Sequence, residues 1–301
     1  MNEYALNEYL MKRKMEDFAL KHGYLPYEPR LFESYDDFSS LSCEVKKEQL
    51  ATVINGQQFQ LMRPDITTSI MNDILPNMKN DEQLKLFYQS TIYRALEQKI
   101  KAVNQFGIEY LGVIDQECEK EMLDLAISYL EDVPFVLEVT TTEILKNILQ
   151  ICALDAEQEK IIRKLIYIKN REELVKFGEI NKLPVEIQQL LPKLFTLRGS
   201  YEEVINQLQN FKIKNTLLDP LTKISYLKEF NHPQIIFDLS MTSELTYYEG
   251  IIFKGYYPKI PSEVLSGGRY GKNAIGFSIE VDSWLKAQKL RSQEEGSAWH
   301  I

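Results

Sequence analysis

Strand signals stop at about Thr142 and return only with "PQIIFDLS", and this interruption constrains the fold more than anything else in the chain. Between the two points Leu, Ile, Lys, Glu and Gln recur at helical spacing, as in "EQEKIIRKLIYI" and "YEEVINQLQNF". On either side lie short β-branched and aromatic runs: "FVLEVT" before the gap, "LTYYEGIIFKGYY" and "AIGFSIEV" after it. Such an order describes one core opened by an insertion. Residues 1–141 and 231–286 form the core, 142–230 an all-helical insertion, and 287–301 a polar tail. A length of 301 residues suffices for that arrangement.

Within the first part, residues 2–21 read as a helix with Tyr4, Met11, Met15 and Phe18 on one side, ending at Gly23. Pro26 and Pro29 then favour extended chain. "ATVINGQQFQLM" reads as a hairpin turning at Asn55-Gly56, and a helix is expected from Ile66 to about Met78. "LKLFYQSTIYR" and "NQFGIEYLGVI" are two strands joined by a short charged segment, and "CEKEMLDLAISYLED" is an amphipathic helix. Connections this short make the sheet mainly antiparallel, so the fold class is α+β: a sheet flanked by helices, with a helical insertion.

Composition narrows the partners. A net charge of −9 and a pI near 5.1 give no broad electrostatic footprint for a phosphate backbone. Cys43, Cys118 and Cys152 are scattered, as are His22, His232 and His300, so neither a disulfide framework nor a metal pattern can be drawn. No apolar run approaches the roughly 20 residues that span a bilayer. The first residues have no signal-peptide core, and the expected location is the cytoplasm. No cofactor and no metal are expected.

Alternation along strands indicates which side chains share a face. In "QFGIEYLGV", Gln105, Gly107 and Glu109 share one face and Phe106, Ile108 and Tyr110 the other. A glutamine and a carboxylate astride a glycine suit an ammonium or an imidazole; a solvated edge strand has the same pattern. Ala274, Gly276, Ser278 and Glu280 form a thin face opposite Ile275, Phe277 and Ile279, which marks close backbone approach or a cavity. Tyr248 and Gly250 pair a phenol with open space, although strand tyrosines commonly serve packing. In "MRPDITT", Asp65 and the threonines read as helix caps unless they face a pocket. "SGGRYGK" lacks the spacing of a phosphate loop and reads as a turn before a strand. No GxSxG, HExxH or Walker pattern occurs, and nothing singles out a general acid or base.

Taken in order, "RPDITT", "NQFGIEYLG", "LTYYEGIIFKGY", "LSGGRY" and "AIGFSIEV" resemble the catalytic core of the class II histidyl-tRNA synthetases over about Asn2–Lys286. "YLPYEPRLFES" resembles that class's first motif, and the helical block falls where the core carries an insertion. The resemblance implies a histidine-like pocket at Asp65, Thr67, Gln105, Glu109, Tyr247 and Tyr248.

Departures from the family pattern bear on activity. The arginine that precedes the tyrosine pair is Ser243 here, followed by Glu244. The arginine that ends the third motif is Ser283, and Glu280 replaces a glycine. The second-motif segment between Arg94 and Gln105 is shorter than the family's, and no anticodon-binding domain follows the third motif. "RPDIT" and the short tail resemble the paralogues that serve as regulatory subunits of short-form ATP phosphoribosyltransferase. That resemblance implies a non-catalytic protein of histidine biosynthesis. It would form a homodimer within a hetero-oligomer with the short catalytic subunit, respond to histidine as effector, and bind no tRNA. The alternative is a reduced enzyme that activates histidine with ATP for an acceptor other than tRNA.

Overall fold

The computed structural model describes residues 2–40, 49–56, 58–79, 81–96, 99–229, 234–243 and 248–294. The chain divides into two compact units, one built from Met1–Phe135 and Gly255–Ile301, the other from Val136–Glu244 and Tyr248–Lys254.

The first unit opens with α1 (Asn2–Lys21), as the apolar spacing predicts, followed by β1 (Leu25–Pro26), β2 (Phe32–Ser34) and α2 (Tyr35–Ser40). The expected hairpin is β3 (Thr52–Asn55) and β4 (Gln58–Met62), which pairs with β2 in a three-stranded sheet. Its turn lies one residue later than expected. Asn55 is still paired, with Gln58, and Gly56 takes the left-handed backbone at φ 62°. Helix α3 (Ile66–Asp73) is shorter than expected, and a 3₁₀ turn at Leu75–Asn77 continues it. Pro76 explains the break, since it offers no N–H to an α-helical ladder.

Strands β5 (Leu84–Leu96) and β6 (Lys99–Leu111) form a hairpin, each thirteen residues long. The charged segment expected to join them is itself strand, and only two residues separate the partners Leu96 and Lys99. Helix α4 (Gln116–Leu130) follows, with Asp115 accepting from the Cys118 N–H as its cap.

The second unit begins with β7 (Val136–Thr141) and continues through α5 (Thr142–Cys152), α6 (Ala156–Tyr167), α7 (Arg171–Ile180) and α8 (Val185–Leu190). After β8 (Arg198–Gly199) come α9 (Tyr201–Leu208), α10 (Lys214–Lys223), β9 (Ile235–Asp238) and β10 (Tyr248–Tyr256). Arg198–Gly199 is the one strand in the described part of 142–230; it pairs antiparallel with β9, which runs parallel to β7. Glu138 on β7 takes Arg198 at 2.8 Å, and the buried Asp238 takes Lys169 at 3.4 Å.

Back in the first unit stand β11 (Leu265–Tyr270), β12 (Ala274–Glu280) and α11 (Val281–Glu294). "SGGRY", expected as a turn, is strand β11; the turn is the segment 271–273 after it. Helix α11 carries regular structure through Glu294, into the expected polar tail, and Gln288 within it is 7% exposed.

The strand order in this unit is β1-β5-β6-β12-β11, antiparallel except for the parallel pair β1–β5. One face is the core. Phe106 stacks on Phe87 at 6.0 Å between ring centroids, and Tyr129 of α4 sits 5.2 Å from Phe106, 6.0 Å from Phe277 and 5.0 Å from Phe18 of α1. The Tyr129 hydroxyl donates to Met15 O at 2.9 Å, and Trp284 of α11 donates to Tyr129 O at 2.8 Å. Tyr129 thus fastens three helices to one side of the sheet and leaves the other side to Gln105, Gly107 and Glu109.

Candidate functional site

Register builds the free face. Glu109 pairs with Leu86 on one side and Gly276 on the other, Gly107 with Tyr88 and Ser278, and Gln105 with Ser90 and Glu280. A Cβ at Gly276 would collide with the Glu109 carboxylate, and a Cβ at Gly107 with the Tyr88 ring. The expected thin face therefore exists because two glycines leave room for a carboxylate and a phenol.

At its centre Glu109 is 1% exposed. The hydroxyl of Tyr270 donates to its Oε2 at 2.8 Å and that of Thr67 to its Oε1 at 3.3 Å. Burial pushes the Glu109 carboxyl up to about 8, and Asp65 nearby pushes the same way. The hydrogen bonds from Tyr270 and Thr67 oppose this without cancelling it. No metal-competent cluster of three or more His, Cys, Asp or Glu occurs among the described residues.

Asp65 serves first as the cap of α3, accepting from the Thr68 N–H at 2.8 Å and the Thr68 hydroxyl at 2.6 Å. That cap fixes the start of the helix and so aims Thr67 at Glu109. Arg63, 4% exposed, holds the segment in place, donating to Pro29 O at 2.6 Å, Arg30 O at 2.9 Å and Ser90 Oγ at 2.5 Å. Gln105 lies on the same face of β6 as Glu109, four residues away and partly exposed. Tyr248 opens β10 in the second unit, and Tyr247 lies outside the described residues. Of the six expected site residues, the structure gathers Thr67 and Glu109 in contact, with Asp65 close and Gln105 along the same face.

Tyr270 and Tyr88 were not singled out by sequence. A signal existed for Tyr270: pairing "LSGGRY" with "AIGFSI" sets Tyr270 opposite Ala274 and Gly268 opposite Gly276, in the small-residue row.

Further along this face the character changes. Glu280, the strand partner of Gln105, accepts from Ser283 Oγ at 2.8 Å. Arg94 donates to the Pro64 carbonyl. A phosphate bound here would meet the carboxyl group of Glu280.

A sequence model described as histidyl-tRNA synthetase matches residues 2–283. An ATP phosphoribosyltransferase regulatory subunit from Thermoanaerobacter pseudethanolicus is 29% identical over 328 aligned positions, spanning 100% of this chain and 85% of that protein. Among solved structures, an ATP phosphoribosyltransferase regulatory subunit/histidyl-tRNA synthetase from Bacillus halodurans superposes with a TM-score of 0.82 at 21% identity, covering 95% of this chain and 80% of that one. A chain of the ATP phosphoribosyl transferase (HisG:HisZ) complex from Thermotoga maritima gives 0.68 at 20% identity, covering 91% of this chain and 97% of that one. These two structures speak for the fold.

Proposed function

The chain belongs to the histidyl-tRNA synthetase family, and we propose that within it this protein is a regulatory subunit of ATP phosphoribosyltransferase, required by a short catalytic partner at the first step of histidine biosynthesis. A relative that aligns with the whole of this chain carries that name. One contrast on the pocket face carries the reading. The amino-acid end keeps a buried carboxyl between two hydroxyls, while the nucleotide end holds Glu280 bonded to Ser283. Chemistry belongs to the partner chain in this reading, and this chain performs none.

Histidine is the effector. Its imidazole meets Glu109, and Thr67, Gln105 and Asp65 provide polar groups for the ammonium. An imidazole and a carboxyl whose proton affinities are close share one proton, which suits a carboxyl raised to about 8. The assembly is a hetero-oligomer containing a dimer of this chain, and histidine shifts it toward the less active state by its difference in affinity for the two states.

The test is an assay of a short-form catalytic subunit alone, with this protein, and with both protein and histidine. Activity that appears on mixing and falls with histidine is expected. No activation together with no complex by sedimentation ends the proposal.

A further inference from the structure

Helix α3 has a second side. Thr67 points to Glu109, whereas Ser69, two residues on and about 200° round the helix, faces a hollow beside the three-stranded sheet. This cavity is about 550 Å³, within the range of small-molecule sites, and α3, β2, α2 and β4 all contribute to its lining.

Its wall is polar and carries carboxyl groups. Glu33 of β2 accepts from the Ser69 hydroxyl, and among the described residues no cation pairs with it directly. Asp36 and Asp73 also line the cavity, and the one arginine there, Arg30, is engaged by Asp73 at 3.3 Å. Phe59, 61% exposed, shares the Glu33 face of the small sheet by register, and Phe32 also contributes to the lining. An anion would face three carboxyl groups, and a bare metal ion would leave most of the volume unfilled. Aromatic faces attract an organic cation and cover its apolar body.

We propose that this cavity is a second ligand site, specific for a small organic ammonium compound with an apolar or aromatic body, its nitrogen seated on Glu33. The site is separate from the Glu109 pocket and does not rest on the proposed function.

Burial holds the Glu33 carboxyl up to about 7; Asp65 and Asp73 add to the rise, while Ser69 and Arg63 oppose it. Asp36 and Arg30 complete the charged groups around it. An ammonium must displace the Glu33 proton below that point, so affinity rises with pH and levels off above it.

The experiment is calorimetric titration of the full chain with benzylammonium chloride at pH 6.0 and 8.0, with benzyl alcohol and benzoate as neutral and anionic controls. Benzylammonium alone is expected to bind, on the order of tenfold more tightly at pH 8.0. Glu33→Gln should abolish binding and Glu109→Gln should leave it unchanged. Phe59→Ser, at a side chain 61% exposed and so of small expected cost to the fold, should weaken it severalfold, and it decides the matter if Glu33→Gln misfolds. Absence of binding, equal binding of benzyl alcohol, unchanged affinity in Phe59→Ser, or loss in Glu109→Gln each overturns the proposal.

Discussion

The phenol of Tyr270 donates to Glu109 Oε2 at 2.8 Å across 161 residues of sequence. That bond, with Thr67 on the other oxygen, fixes the plane of the carboxyl group against the sheet. Tyr270→Phe removes one donor and leaves a buried acceptor short of a partner, a cost of about 1–3 kcal/mol. Histidine affinity should fall roughly tenfold by calorimetry, with the fold retained by circular dichroism. An unchanged dissociation constant would remove Tyr270 from the site.

The shared proton sets a pH profile. A free imidazole titrates at about 6.5, and Glu109 at about 8. Between those values ligand and pocket together hold the one proton the pair needs. Below them a proton must leave, and above them one must be taken up. Histidine binding should therefore peak between about pH 6.5 and 8 and decline on both sides. A profile that only rises or only falls counts against the pairing.

Stability should follow Glu109 as well. Its folded value, about 8, lies above the ordinary 4.5, so the folded state binds the extra proton. Its contribution is complete below about pH 4.5 and is lost as pH rises through about 8. At about 1.4 kcal/mol per unit the ceiling is on the order of 5 kcal/mol. Denaturant melts at pH 5 and pH 8.5 should show wild type losing stability relative to Glu109→Gln. Parallel losses in the two proteins would place the titration elsewhere.

Gly276→Ala is expected to be costly. Its Cβ would enter the space of the Glu109 carboxylate and the Ile108 carbonyl, and overpacking of this kind costs about 1–3 kcal/mol or more. Histidine binding should disappear with it. Gly271→Ala is the comparison: open space surrounds it, and its φ of 53° makes backbone strain the only penalty, about 1 kcal/mol. Equal penalties at the two positions would mean that the thin face is not tightly filled.

Ser243→Arg alone should give no ATP–pyrophosphate exchange. Glu280 and Ser283 still occupy each other, and the β5–β6 hairpin still closes through two residues. Exchange above background from that one substitution would show that nucleotide binding survives.

Much of this site is legible in strand parity. Gln105, Gly107 and Glu109, and Gly276 with Ser278, fall on one side because a strand alternates and because bulky residues mark the other side as core. What alternation cannot convey is which strands lie together. Tyr270 stayed hidden because a glycine-rich run is also what a turn looks like, and only its pairing with β12 turns those glycines into clearance. The segment between β5 and β6 misled for a similar reason. Charge suggested a solvated link, yet Arg94 and Lys101 are cross-strand partners on an extended hairpin. Asp65 showed both of its possible roles: as a cap it orders α3, and by its charge it raises Glu109.

Because Glu109 is completed by Tyr270 and fits against Gly276, this cluster joins what is synthesised early to what is synthesised late. The hairpin that carries Glu109 assembles from neighbours in the chain, but its remaining wall leaves the ribosome only with β11 and β12. Nascent chains, proteolytic fragments and truncation products that stop short of β12 have no such site. Under the proposed function, histidine binding is confined to chains that extend through β12.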